Sequence, residues 1–104
     1  MILYICKWDI LPGKDEEYTE WSQGAMQRLF SVPGIKEFRA YRPVTGSYQA
    51  VVTYEFKDFI SWATWAENET IVNVMQELRN YTTNIKFDLM GPSPIVPEPI
   101  RFDS

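Results

Sequence analysis

Side-chain periodicity along this chain switches between two residues and 3.6 residues in a fixed order, and that order admits few folds. Residues 2–9, ILYICKWD, alternate. Ile2, Tyr4, Cys6 and Trp8 point one way, and Leu3, Ile5, Lys7 and Asp9 the other, the latter turning polar toward the end. Pro12-Gly13 is a turn signal. A helix is expected from Asp15 to Phe30, with an acidic first turn (Asp15, Glu16, Glu17) and Arg28 in its last, as the helix dipole prefers. Tyr18, Trp21, Ser22, Ala25 and Leu29 share one of its faces. Pro33-Gly34 ends it, and the period returns to two over residues 35–42, IKEFRAYR, and 49–56, QAVVTYEF. The short turn at Thr45-Gly46-Ser47 makes these two strands an antiparallel hairpin.

The helical period then resumes twice. One helix is expected from Lys57 to Glu67, and Asn68 caps another from Glu69 to Thr83. Ile71, Val74, Met75, Leu78 and then Tyr81 or Thr82 form the apolar face of the second. Residues 84–90, NIKFDLM, alternate again, with Ile85, Phe87 and Leu89 together. The order is β-α-β-β-α-β, an α+β ferredoxin-like plan with an antiparallel sheet and both helical regions on one face. It occupies residues 1–90 as one domain. Residues 91–104, GPSPIVPEPIRFDS, hold four prolines and form an extended C-terminal arm. Ile95, Val96, Ile100 and Phe102 give that arm a reason to pack, on the partner subunit if the protein is a dimer.

One face of the expected sheet is apolar and meets the helices: Tyr4, Cys6, Trp8, Phe38, Tyr54 and Phe56 among others. The other mixes charges of both signs (Lys7, Asp9, Glu37, Arg39, Glu55, Lys86, Asp88) with Leu3, Ile5, Ile35, Tyr41 and Val51. An open face can be solvated. A partly apolar, charge-balanced face also suits a second copy related by a two-fold axis.

Composition narrows function by exclusion. The 104 residues contain no histidine, so triads that rely on it, a proximal haem ligand and ordinary zinc sites are excluded. The net charge of −4 and the lack of any Lys/Arg run argue against nucleic acid and anionic membrane as partners. Cys6 is the lone cysteine and reads as a small core residue. With no signal-like apolar run, a cytoplasmic location is expected.

The stretches DILPGKDEEYTEW, VPGIKEFRAYRPVTG and VTYEFKDFISWATWAEN, in that order, resemble the dimeric α/β-barrel superfamily, closest to its antibiotic-biosynthesis-monooxygenase-like (ABM-like) group. The resemblance covers residues 1 to about 90 and rests on element order and apolar spacing. It implies a homodimer with the two sheets face to face, and a pocket between sheet and helices. It implies cofactor-independent oxygenation of an aromatic small molecule, with no metal or flavin. Members often carry a histidine near where Trp65 and Ala66 stand here; this chain has none, which speaks against haem degradation.

Aromatics make up 15% of the residues, enough to line a pocket as well as fill a core. With Phe59 as the reference on a helical wheel, Trp62, Ala63 and Ala66 fall within about 60° of it, and Trp65 about 120° away, on the flank. Trp65 is therefore expected against the partner or the arm, as a pocket wall, or half exposed, and not as a core residue of its helix. The candidate ligand-binding set is Trp62, Trp65, Tyr54 and Tyr81, with Asn68 as a polar anchor. Two other readings stand beside it. One is a non-catalytic structural or regulatory dimer without a pocket. The other is an isomerase or lyase using Glu37, Glu55 or Asp88 as base.

Overall fold

A computed structural model of the chain describes residues 1–103. Its elements run β1 (Ile2–Ile10), α1 (Asp15–Ser31), β2 (Ile35–Tyr41), β3 (Ala50–Phe56), α2 (Phe59–Ala66), α3 (Glu69–Leu78) and β4 (Thr82–Met90). The strands form one antiparallel sheet in the order β2-β3-β1-β4, which is the ferredoxin-like arrangement read from the periodicity. The second helical region is split because each half has its own cap. Asp58 Oδ1 accepts from the Ser61 N–H at 2.8 Å, and Asn68, extended at φ −60° and ψ 135°, accepts from Thr70 N–H at 2.9 Å.

Two β-bulges alter the alternation. In β2 the register slips between Ile35 and Glu37, so Ile35 faces Phe56 while Glu37 faces Glu55. Ile35 consequently packs against the helix-side core rather than standing on the open face, as strict alternation predicts. The second bulge lies between Lys7 and Asp9, where β4 carries Asn84 at φ 55° and its Nδ2 reaches Asp9 Oδ2 at 3.2 Å. Helix α3 also stops sooner than its apolar spacing suggests, at Leu78 instead of Thr83. Thr82 keeps an apparent place on the helical face only because it opens β4 pointing inward, where its hydroxyl donates to Leu78 O at 2.7 Å.

The core lies between the sheet and the three helices, and Trp65 is at its centre. A wheel anchored at Phe59 puts Trp65 on the flank; the structure reverses the two. Trp65 is 1% exposed, with its ring 5.1 Å from that of Tyr54 and 5.2 Å from that of Phe56, and its indole N–H donates to Leu29 O at 3.3 Å. Phe59 is 54% exposed, its ring lying over Gly91 at the end of β4. The buried face of α2 is set by the α1 backbone it bonds to and not by its first aromatic.

Among the described residues, no helix covers the other side of the sheet. Leu3, Ile5, Val51 and Thr53 are half-buried there, and Tyr41 is exposed. The arm crosses one corner, where Val96, Pro97 and Arg101 share a groove with Leu3, Glu55 and Met90. Ile95, Ile100 and Phe102 stay in solvent.

Candidate ligand-binding site

Helices α1 and α3 lie against each other on the sheet, and between them and the strands the packing opens into a cleft of about 220 Å³. Ala25 and Leu29 of α1, Val52 of β3, and Val74 and Leu78 of α3 form its apolar walls. The small Ala25 is what leaves the space, because its neighbours at helical spacing, Trp21 and Leu29, are large. None of the residues that line the cleft is charged.

Five lining residues carry polar atoms: Trp8, Tyr18, Trp21, Ser22 and Tyr54. Trp8 is on the inward side of β1, and its indole N–H donates to the Tyr18 hydroxyl at 3.0 Å. Burial pushes the Tyr18 phenol up from its ordinary pKa, with the Trp8 hydrogen bond pulling the other way. Tyr54 is 2% exposed, and burial raises its phenol well above the usual value. Both rings are therefore neutral at physiological pH.

The rim is held by an ion pair. Arg28 grips Glu77 with two hydrogen bonds of 2.8 Å, joining α1 to α3, and the Trp21 indole N–H donates to the same carboxylate at 2.9 Å. These bonds, Arg28 first and Trp21 second, hold the Glu77 carboxyl at about 2, below its ordinary 4.5. The Trp21 ring, so fixed, stacks on Tyr81 with centroids 5.1 Å apart.

Of the five expected ligand residues, the structure gathers Tyr54, Trp65 and Trp62 into one aromatic cluster and leaves Tyr81 and Asn68 outside it. Tyr54 lines the cleft. Trp65 packs against Tyr54 inside the core. Trp62 packs on Tyr4, at 5.6 Å, whose ring also lies 6.0 Å from that of Tyr54, 6.4 Å from that of Trp65 and 5.8 Å from that of Phe87. Its indole N–H is buried with no hydrogen-bond partner among the described residues. Tyr81 is on the outer side of Trp21, and Asn68 is an exposed helix cap. The carboxylates of Glu37, Glu55 and Asp88 are on the open side of the sheet, away from the cleft.

The sequence reading did not pair Trp8 with Tyr18, nor Arg28 with Glu77. The first pair was within reach of periodicity, since both residues fall on inward faces. The second joins residues 49 apart, and no local pattern links them.

No family model matches the sequence, and no curated protein matches it either. The fold is widely shared. The cofactor-independent oxygenase SnoaB from Streptomyces nogalater superposes with a TM-score of 0.72 at 13% identity, covering 93% of this chain and 97% of SnoaB. The protein At3g17210 from Arabidopsis thaliana gives 0.78 at 12%, covering 89% and 96%. A DABB-family protein with a ferredoxin-like fold from Mesorhizobium loti gives 0.78 at 14%, covering 88% and 96%. Proteins described as antibiotic biosynthesis monooxygenases superpose as well, one of them from Nitrosomonas europaea. The chain thus has the ferredoxin-like α+β fold of the ABM-type and DABB proteins. At these identities the likeness is one of fold.

Proposed function

We propose that the chain is a homodimer that binds a flat, hydrophobic aromatic molecule in the helix–sheet cleft and oxygenates it without a cofactor. The observation that carries this reading is the cleft itself: apolar, uncharged, and edged by phenol and indole groups that orient a ring system. An apolar cavity of about 150 Å³ admits benzene, so about 220 Å³ suits a larger, two-ring ligand. In oxygenation of this type the electrons come from the substrate's own anion, and the protein supplies a dry pocket and hydrogen bonds. SnoaB, described as a cofactor-independent oxygenase, supports the reading by its fold.

The dimer is supported by the open face. Lys7 stands opposite Lys86, and Glu55 opposite Glu37, whose carboxylate Arg39 also holds, so two of the three strand pairs set like charges together. Directly opposed like charges are unfavourable within one sheet. A two-fold related copy that lays lysines over glutamates relieves both pairs and covers Leu3, Ile5 and Val51. One observation favours a second reading, a dimer that binds its ligand without converting it: among the described residues, no carboxylate lines the cleft to act as base.

Native mass spectrometry on protein purified from its host tests the proposal. A dimer with retained small-molecule mass is expected, and Ala25→Leu, which fills the cleft, removes that mass while the circular dichroism spectrum is kept. A ligand-free monomer that also takes up no aromatic probe would sink both the dimer and the pocket.

A further inference from the structure

The hydrogen-bond inventory of the cleft says what its ligand carries. This inference rests on the cleft being a ligand site. Indole N–H is a donor only. The Trp8 N–H is spent on Tyr18, and the Trp21 N–H on Glu77. The Ser22 hydroxyl donates to Thr19 O at 2.8 Å. Trp8 forces Tyr18 Oη into the acceptor role, and a neutral phenol has one proton. That proton meets no acceptor among the described residues, and the hydroxyl of Tyr54, the other phenol on the cleft wall, makes no hydrogen bond to them either. Tyr18 lines an apolar cleft none of whose lining residues is charged.

A donor of this kind, with its own oxygen pinned by a tryptophan, discriminates between ligands in three ways. A hydrocarbon of the right shape leaves the phenol proton unpaired when it displaces water, which is a cost. A carboxylate gives up its hydration with no cation on the walls to replace it, a far larger cost. A neutral carbonyl accepts the proton and loses little hydration. We propose that Tyr18, aimed by Trp8, selects for ligands with a neutral acceptor oxygen on the ring system, an aryl ketone or quinone carbonyl, over hydrocarbons and over carboxylates. Tyr18 is thus a specificity-determining residue of the cleft, and Trp8 positions it.

Three two-ring probes separate the cases: 1-tetralone, which has the carbonyl; tetralin, which lacks it; and 1-naphthoate, which is charged. Titration is followed in a nitrogen–proton correlation spectrum, where the four indole N–H groups give resolved signals. The expected result is that 1-tetralone binds about fivefold more tightly than tetralin, the worth of one neutral hydrogen bond. It should shift the Trp8 indole signal most, and 1-naphthoate should bind weakest. In Tyr18→Phe the ketone's advantage over the hydrocarbon shrinks, with tetralin affinity retained, and the Tyr54 hydroxyl is the phenol donor that is left. The proposal is overturned if the two neutral probes bind wild-type protein equally, if 1-naphthoate binds best, or if the ketone preference is undiminished in Tyr18→Phe. Equal binding removes this proposal and leaves the ligand site standing. Failure of all three probes removes both. The wild-type ratio and the Trp8 indole shift need no variant, so a ketone preference without that shift overturns the assignment to Tyr18 even where Tyr18→Phe does not fold.

Discussion

Substituting Glu77 by Gln removes one charge from a site where three hydrogen bonds converge. The carboxyl is held at about 2 in the fold against an ordinary 4.5. Taken at face value that difference is worth about 3 kcal/mol. The Glu77 side chain is 37% exposed, so water screens much of it, and about 1 kcal/mol is the reasonable expectation. In a domain of this size that lowers the melting temperature by about 5 °C. The pH dependence has a definite sign. A carboxyl with a depressed folded pKa adds stability above its unfolded pKa, and this is lost as pH falls through the folded value. Urea unfolding of wild type and Glu77→Gln should therefore differ by about 1 kcal/mol at pH 7. The gap should narrow between pH 4.5 and pH 2 and be nearly gone at the lower end. A gap of the same size at pH 7 and at pH 2 would refute the argument, since it would come from shape and not charge. No gap at pH 7 would mean that the Arg28 clamp contributes nothing to joining α1 and α3. Because Trp21 donates to this carboxylate and lines the cleft, ligand affinity should weaken with stability in the variant.

Other substitutions probe the packing. Trp65→Ala should cost about 3–5 kcal/mol in equilibrium unfolding, enough to leave a domain of this size barely folded, whereas Phe59→Ala on the same helix should cost far less; comparable costs would restore the wheel anchored at Phe59. Gly34→Ala should lose at least about 1 kcal/mol in the same assay, because φ there is 131°. The space beside it is adequate, with the nearest atom, Ser61 O, 3.6 Å from an added Cβ. A neutral result would show that the turn from α1 into β2 adjusts freely.

The element order was fully legible, because period-two and period-3.6 stretches of this length are hard to mistake. Errors arose where a single residue decides the geometry. Ile35 changes side because one extra residue in β2 reverses the alternation, and a bulge leaves no mark in apolar spacing. The apolar spacing overextends helix α3 because Tyr81 and Thr82 continue it, although the Arg79 N–H closes the helix on Gln76 O and the Asn80 N–H on Glu77 O. The wheel misplaces Trp65 because it needs a reference, and Phe59, in the first turn, is an exposed residue of α2 that the core does not constrain. The cleft is a property of three elements at once. Its aromatic walls could be guessed from composition, but which of the sixteen aromatic residues face it depends on how α1 and α3 sit on the sheet.

Cys6 has no exposed surface and sits in β1, hydrogen-bonded on both sides by β3 and β4. Burial also raises its thiol pKa, which suppresses the reactive thiolate. Oxidants and alkylating agents reach this sulfur only through separation of the sheet's inner strands. The redox state of the chain's one thiol is therefore a record of how often the whole molecule has come apart, and the folded protein carries no thiol chemistry of its own.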